Sequence, residues 1–431
     1  MEIEVSILRR SLTGAVIALV LAGCDGSTSD SMPVSSAQDQ VPGSGASSFP
    51  STGSSSSTGG TTTGSSSGGG TSSGGVPTAP GEKFAYVGSH EGIYCYATDS
   101  TTGALASLNP ALCDTGIFSG VTTSGGFLYA THVVASSDPP YLTTGTVRAY
   151  QIDSTTGALT VLSGAEISAG SNPVSIATDP TGQFVYAADY ASDSVYAYAI
   201  NASTGALTPV TGSPFATGHL PNWVTIDPSG AFLYTANNGS SVSGFSIDPN
   251  SGALTPVPGS PYPTTEAQSI TTDPAGKFVF VATLNSSNVY AFTIDPTTGA
   301  LSAVSGSPFS IGCSSSMLEP ECSAGDLTVD SSGAYLYVTS NSPGTSSIVG
   351  YSIDTTSGVL TSLSGSPFAA TSASAIEGIA ARGGFIYVGY PDSVTSAATF
   401  AVDPTSGALT QTSTVAAANT GEDAYDFAFS P

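Results

Sequence analysis

Seven copies of one pair of short motifs recur along the chain, about 50 residues apart. The first motif places a small or aliphatic residue between two aromatic ones, as in Phe232-Leu233-Tyr234. The second is a turn of the form Thr/Ser-Gly-Ala/Val-Leu, whose glycines are Gly103, Gly157, Gly205, Gly252, Gly299, Gly358 and Gly407. A repeat of this length that contains only strand and turn patterns predicts an all-β, seven-bladed β-propeller with four-stranded antiparallel blades.

The repeat that begins at Pro221 has the clearest pattern and predicts how one blade is built. Its strands are expected at residues 223–226, 232–236, 242–247 and 254–257, from the centre of the ring outwards. The chain enters its first blade at Lys83 with a second-strand motif, so that blade lacks an inner strand. Residues 425–431 have the inner-strand pattern, so we expect the C-terminus to close the ring in blade one and leave no open sheet edge.

Residues 1–24 have the pattern of an export signal, with two arginines before an apolar run that is too short to span a bilayer. The run ends in Leu21-Ala22-Gly23-Cys24, which resembles the lipobox of bacterial lipoproteins and implies lipidation of Cys24. Ordinary secretion with an incidental cysteine is the alternative. Residues 25–80, rich in Ser, Gly, Thr and Pro, are expected to form a disordered tether ahead of a propeller at 81–431. The expected location is the periplasm or cell surface, lipid-anchored to a bacterial membrane.

Four cysteines remain after Cys24, and an even number in an exported domain favours two disulfides. Sequence proximity pairs Cys95 with Cys113 and Cys313 with Cys322. Metal ligation is the alternative, but these spacings differ from the short spacings that are typical of zinc sites. The sequence therefore predicts no metal centre at the cysteines.

The formal net charge is −25, with 31 acidic and only 6 Lys and Arg residues. A surface of this charge repels nucleic acids and anionic lipid headgroups. Contact with the membrane is therefore expected through the lipid anchor alone, and the domain is expected to be a monomer. Many aspartates stand in turn motifs such as Asp227-Pro228-Ser229-Gly230, where the carboxylate has a structural role.

The combination of Asp-Pro-x-Gly turns with the Thr-Gly-Ala-Leu turn resembles the lactonase family of propellers, which includes 6-phosphogluconolactonase-like proteins. The resemblance covers about residues 83–431 and implies a lactone hydrolase. Members of that family carry an Asp-Leu-Gly-x-Asp motif, which Asp189 and Asp193 match here, and a preceding His-x-His motif. Asn172 and Val174 stand where the two histidines would be.

Loops between second and third strands, and between outer and inner strands, meet at one face of a propeller, where ligands are expected. Titratable residues in these loops that could act as acids or bases are the candidate catalytic residues: His132, His219, Asp189, Asp193 and Glu377. Candidate ligand-binding residues are His90, Trp223, Asn237, Asp326 and Tyr390. Solvated loop histidines and a Trp223 that packs between blades are the alternatives.

No nucleophile elbow, phosphate loop or metal motif is present in the sequence. No cofactor is therefore expected, although loop carboxylates are of the type that binds Ca²⁺. The favoured function is a lipid-anchored module that binds an envelope protein or glycan. The alternative is a lactonase-type hydrolase that acts on a sugar or related lactone in the funnel of the propeller.

Overall fold

The computed structural model describes residues 83–135, 143–284, 286–312, 323–342, 345–370, 375–390, 395–416 and 424–430. All of them lie in the compact unit that spans residues 76–431. Every regular element in these ranges is a β-strand, and the strands form seven separate antiparallel sheets. The predicted all-β, seven-bladed propeller is therefore confirmed. The predicted segments 1–24 and 25–80, including Cys24, lie outside the described residues, and within those residues no helix could span a membrane.

Blades one, two and seven contain four strands each, ordered from the centre of the ring outwards. Blade one consists of β32 (Ala424–Phe429), β1 (Lys83–Ser89), β2 (Gly92–Thr98) and β3 (Leu105–Thr115). Blade two consists of β4 (Ile117–Ser124), β5 (Phe127–Ala135), β6 (Thr143–Ile152) and β7 (Leu159–Ser168). Blade seven consists of β28 (Gly378–Arg382), β29 (Phe385–Gly389), β30 (Thr395–Val402) and β31 (Leu409–Ala416).

Blades three to six have a fifth, two-residue strand that pairs with the third strand beside the short outer strand. Blade three consists of β8 (Pro173–Thr178), β9 (Phe184–Asp189), β10 (Ser194–Ile200), β11 (Leu207–Pro209) and β12 (Phe215–Ala216). Blade four consists of β13 (Pro221–Ile226), β14 (Phe232–Asn237), β15 (Ser241–Ile247), β16 (Leu254–Pro256) and β17 (Tyr262–Pro263). Blade five consists of β18 (Ala267–Thr272), β19 (Phe278–Thr283), β20 (Asn288–Ile294), β21 (Leu301–Ala303) and β22 (Phe309–Ser310). Blade six consists of β23 (Ser323–Val329), β24 (Tyr335–Ser342), β25 (Thr345–Ile353), β26 (Leu360–Ser362) and β27 (Phe368–Ala369).

The C-terminal strand closes the ring, as the sequence predicts. Strand β32 pairs antiparallel with β1, with Phe427 opposite Val87. The Ser430 N–H donates to the Phe84 carbonyl at 2.8 Å, and the Phe84 N–H donates to Ser430 Oγ at 2.9 Å. The two ends of the described domain are therefore joined by a sheet ladder, and blade one is completed from both ends of the chain.

The two repeated motifs form the two sides of one contact between neighbouring blades. In blade five, Gly299 has a φ of 72°, and a Cβ atom there would lie 2.3 Å from the ring of Phe232 in blade four. The Tyr234 hydroxyl donates to the Gly299 carbonyl at 2.8 Å. The same tyrosine-to-glycine bond joins four other blade pairs: Tyr86–Gly157, Tyr129–Gly205, Tyr186–Gly252 and Tyr337–Gly407. The glycine is required because only it allows both this backbone conformation and the close aromatic contact.

The disulfide predicted between Cys95 and Cys113 is confirmed, and it joins β2 to β3 in blade one with a Cα–Cα distance of 6.0 Å. The other predicted pair, Cys313 and Cys322, lies outside the described residues. The inner strands begin at one face of the ring, which we call the funnel face. The turns that connect each inner strand to its second strand lie at the opposite face.

Candidate functional site

Most inner strands carry an irregularity close to the funnel face. In blade four, Pro221 pairs with Asn237 and Trp223 pairs with Ala236, so Asn222 is an extra residue. The inner strands of blades one, two, three, five and six show similar register shifts, whereas the ladder of β28 is regular. Bulges of this kind turn side chains away from the regular alternation and are frequent next to binding sites.

Pairing with the second strand identifies the same position in five inner strands, and in blades two and six it is the residue before the pairs Val121–Ala130 and Leu327–Val338. We call this position the ring layer. From blade one to blade seven its residues are Asp426, Gly120, Ser175, Trp223, Ser269, Asp326 and Gly378. Two carboxyl groups and one indole thus stand among glycines and serines at the centre of the propeller.

The three large residues of the ring layer line one cavity of about 240 Å³ at the centre of the ring: Trp223, Asp326 and Asp426. Blades four, five and six add threonine hydroxyls, and the remaining wall is mostly apolar. These additional lining residues are Thr225, Thr271, Thr328, Ile270, Leu327, Ile379, Ala380, Ala381, Phe427 and Phe429. The cavity therefore brings two carboxyl groups, an indole and three threonine hydroxyls to one place, and converging polar groups of this kind are a feature of small-molecule sites.

Asp326 is buried and holds three hydrogen-bond donors. Its Oδ1 accepts from the Ser269 hydroxyl at 2.5 Å and from the Leu327 N–H at 2.7 Å, and its Oδ2 accepts from the Ile379 N–H at 3.0 Å. Burial raises the pKa of Asp326 to about 6, although the three donors act in the opposite direction. Since a carboxylate can accept about four hydrogen bonds, Oδ2 keeps one free lone pair.

Asp426 has fewer donors and a higher pKa. Its Oδ2 accepts from the Val121 N–H of blade two at 3.0 Å, and its Oδ1 accepts from the Phe427 N–H at 2.8 Å. Burial, reinforced by the negative charge of Asp326, raises the pKa of Asp426 to about 7. Both carboxyl groups therefore have pKa values raised towards neutral pH. Such a pair can act as general acid and general base.

The two aspartates of the predicted family motif bind the loops that enter blades three and four. Asp189 is fully buried, and its carboxylate accepts from the Asn172 N–H at 2.6 Å. Asp193 accepts from the Leu220 N–H at 2.7 Å and lies 3.1 Å from Nδ1 of His219. Although burial opposes it, these two contacts hold the pKa of Asp193 below its usual value. The His219 side chain is 66% exposed, so this pair is at the rim.

His132 lies in the interface between blades one and two. Its ring stacks on Phe118 at 4.8 Å, and its Nδ1 lies 3.4 Å from Glu166 Oε1 without making a hydrogen bond. Arg148 joins Glu166 at 2.6 Å and Asp114 at 2.9 Å. Burial, and secondly the Arg148 charge, lower the pKa of His132. A neutral, buried imidazole in an ion-pair network supports the blade interface.

The other predicted residues are spread around the funnel face. Asn237 is buried, and its Nδ2 donates to Ser241 and Ser243. Tyr390 is buried after β29, Glu377 is half-buried before β28, and His90 is half-buried after β1. Among the ten predicted residues, the structure thus brings Trp223 and Asp326 together in the cavity and His219 and Asp193 together at the rim.

The sequence places Asp426 among the funnel-face carboxylates that could bind Ca²⁺, but not among the candidate catalytic or ligand-binding residues, although a signal for it exists. If Ser430-Pro431 is aligned with Asp227-Pro228, the inner-strand pattern places Asp426 at the position of Trp223. Within the described ranges, no group of three or more His, Cys, Asp or Glu residues is arranged to hold a metal ion.

The fold and the cavity define a seven-bladed propeller with an acidic central site. The family described as "Lactonase, 7-bladed beta-propeller" matches residues 84–222, 212–318 and 310–422. The chain therefore belongs to this family. No curated protein sequence matched the chain.

Solved structures with the same fold include two bacterial proteins. A periplasmic gluconolactonase from Pseudomonas aeruginosa is 19% identical with a TM-score of 0.67, and the match covers 81% of this chain and 99% of that one. A proposed 6-phosphogluconolactonase from Bacteroides fragilis is 19% identical with a TM-score of 0.65, covering 81% and 98%. At this level of identity the likeness establishes the fold, and function has to be argued from the site.

Proposed function

We propose that the protein hydrolyses a sugar-type lactone in the central cavity. The observation that carries this proposal is the pair Asp326 and Asp426, two carboxyl groups with pKa values of about 6 and about 7 in one cavity. Membership of the lactonase family supports it, as do the gluconolactonase and 6-phosphogluconolactonase names of two structural neighbours. Acid and base groups that titrate near the working pH are the most effective in proton transfer.

The different pKa values assign the two roles. Between about pH 6 and 7, Asp326 is ionised and removes a proton from a water molecule through its free Oδ2 lone pair. The water oxygen bonds to the lactone carbonyl carbon. As the ring C–O bond breaks, protonated Asp426 gives its proton to the departing ring oxygen. The product is the open hydroxy acid, and the pair regains its starting state when the proton returns from Asp326 to Asp426 through solvent.

The threonine hydroxyls of the cavity supply the third requirement of the reaction. Negative charge develops on the carbonyl oxygen when the water adds, and hydrogen-bond donors that are already positioned stabilise it. Thr225, Thr271 and Thr328 come from three adjacent inner strands and line the same cavity as the two carboxyl groups. We assign them as donors to this oxygen.

The test compares aspartate-to-asparagine variants at three places. Asp326→Asn and Asp426→Asn should each lower kcat for glucono-1,5-lactone by about 100-fold or more, after subtraction of spontaneous hydrolysis. Asp248→Asn is the matched control, because Asp248 lies in an exposed turn where blade three carries Asn201 with the same hydrogen bonds. Full turnover in both cavity variants would refute the proposal. Loss of turnover in Asp193→Asn alone would assign the chemistry to the rim pair instead.

We also propose that the protein is exported and lipid-anchored through Cys24. The lipobox-like sequence supports this, and the P. aeruginosa neighbour is a periplasmic protein. Metabolic labelling with a fatty acid should label the wild type but not Cys24→Ala, and the variant should leave the membrane fraction. Labelling of both forms, or of neither, would contradict the anchor.

A second candidate function, binding of an envelope glycan or protein, is favoured by Trp223 in the cavity wall. An indole offers a rigid face on which a sugar ring can stack. Binding of cell-wall glycan that Trp223→Ala removes, in the absence of lactone turnover, would support this function over hydrolysis.

A further inference from the structure

Positive charge is scarce in the propeller, and none of its basic residues is among those that line the cavity. After residue 82 the sequence contains four Lys and Arg residues: Lys83, Arg148, Lys277 and Arg382. After residue 82, the segments outside the described ranges, including the loops around 136–142, 313–322, 391–394 and 417–423, contain no Lys, Arg or His. Every basic residue after residue 82 therefore lies within the part of the chain that the structure describes.

Three of the four cations stand at the face opposite the funnel. Lys83 begins β1, and Lys277 directly precedes β19, where its Nζ donates to the Thr355 carbonyl at 3.3 Å. Arg382 ends β28; its Nη2 donates to the Ser430 carbonyl at 3.0 Å and its guanidinium lies 5.1 Å from the centre of the Phe429 ring. The Lys277 and Arg382 side chains therefore make their contacts at the face opposite the funnel face.

The fourth cation is neutralised between blades. Arg148 pairs with Glu166 and Asp114, and it lies over the Phe118 ring at 5.5 Å. The three histidines of the sequence do not line the cavity either. The charged groups of the cavity are thus two carboxyl groups, Asp326 and Asp426, without a cation to balance them.

This distribution selects against anionic ligands. Proteins bind phosphate and carboxylate groups with Arg, Lys or the N–H groups of a helix N-terminus, and the described residues offer the cavity none of these. Two carboxyl groups in one cavity, on a domain of net negative charge, repel an anionic ligand. A neutral sugar ring suits the same site, because its hydroxyls donate to carboxylates and its C–H face stacks on Trp223.

We propose that the cavity accepts uncharged, polyhydroxylated lactones and rejects lactones that carry a phosphate or carboxylate group. That these lactones are hydrolysed rests on the proposed function, whereas the selection by ligand charge rests on the placement of the charged residues. The proposal favours gluconolactone over 6-phosphogluconolactone, the two substrates implied by the names of the structural neighbours. Gluconolactone is uncharged, whereas its 6-phosphate is a dianion near neutral pH.

The experiment uses the wild-type full chain with two matched pairs of probes. Hydrolysis of glucono-1,5-lactone and of its 6-phosphate is followed by proton release, with spontaneous hydrolysis subtracted. Calorimetric titration with glucono-1,5-lactam and its 6-phosphate, which resist hydrolysis, measures binding alone. We expect kcat/KM to be about 100-fold or more higher for the neutral lactone, and the ratio to fall as salt screens the repulsion. Thr225→Lys, which adds a cation to the cavity wall, should lower the ratio further.

The outcomes separate the two proposals. Equal or faster hydrolysis of the 6-phosphate overturns the selectivity while the hydrolase function stands. No hydrolysis of either lactone, with binding of the neutral lactam only, refutes the hydrolase and supports the selectivity. Neither hydrolysis nor binding overturns both. If Thr225→Lys does not fold, the wild-type measurements still decide both proposals, because they need no substitution.

Discussion

Replacing Asp326 and Asp426 by asparagine should remove a pH-dependent loss of stability that these carboxyl groups impose. Their folded-state pKa values are about 6 and about 7, against an ordinary value of 3.8. The folded state therefore binds these protons more tightly than the unfolded chain does. Between about pH 4 and 7 the unfolded chain has released protons that the folded state retains, so the free energy of unfolding falls as the pH rises.

The magnitude follows from the two pKa shifts. One pKa unit corresponds to about 1.4 kcal/mol. The shift of Asp326 to about 6 is then worth about 3 kcal/mol, and the shift of Asp426 to about 7 about 4 kcal/mol. Because asparagine does not titrate, the unfolding free energy of the double variant relative to wild type should increase by about 7 kcal/mol between pH 3 and pH 8.

Urea unfolding at a series of pH values measures this difference, and Trp223, the single tryptophan, provides a fluorescence signal from the cavity wall. Asp248→Asn is the control. Hydrogen bonds from Ser251 and Asn250 lower the pKa of Asp248, so this carboxylate stabilises the fold above its unfolded pKa and loses that effect as the pH falls. The unfolding free energy of Asp248→Asn relative to wild type should therefore decrease as the pH rises, and it should change only at acidic pH. If the unfolding free energy of the double variant relative to wild type does not change between pH 4 and 8, the folded state does not hold the cavity carboxyl groups protonated.

Three other predictions concern the fold. Gly299→Ala should lower the unfolding free energy by at least about 3 kcal/mol in urea titrations, against about 1 kcal/mol for Gly164→Ala. Both glycines have positive φ, but only Gly299 faces an aromatic ring. Equal losses of unfolding free energy in the two variants would contradict the interblade contact. Reduction of the Cys95–Cys113 disulfide should cost about 3 kcal/mol for its sequence separation of 18 residues, and an unchanged melting temperature would contradict this. Deletion of residues 425–431 should abolish cooperative unfolding, because blade one loses its inner strand, and a calorimetric peak like that of the wild type would refute this.

The number of blades could be predicted from the sequence because the repeated motif is itself a contact. Phe232 and Tyr234 of one blade meet Gly299 of the next, so each copy of the motif implies a neighbour. The fifth strands of blades three to six were not predicted. A strand such as Phe215–Ala216 has two residues, which is too short for an alternating pattern to appear.

The site was predicted only in part, for two physical reasons. A polar residue in a loop can bind either a ligand or the loop itself, and sequence does not distinguish these; Asp189, for example, accepts backbone N–H groups of residues 171 and 172. Asp426 is distant in sequence from the other cavity residues and joins them only through ring closure. Trp223 and Asp326 were predicted because both stand where the sequence pattern begins an inner strand, at the face where ligands are expected.

The two aspartates of the ring layer make an interblade hydrogen bond that a serine at the same position also makes. In blade three the same position holds Ser175, whose Oγ accepts the N–H of Val224 in blade four at 3.2 Å. Asp426 and Asp326 make the equivalent bond to the N–H groups of Val121 and Ile379 in their next blades. Serine thus completes this interblade bond without placing a carboxyl group in a site that raises its pKa. A hydrogen-bond acceptor at these positions therefore serves the blade interface, and under the proposed function the carboxyl group would add proton transfer to a ligand in the cavity.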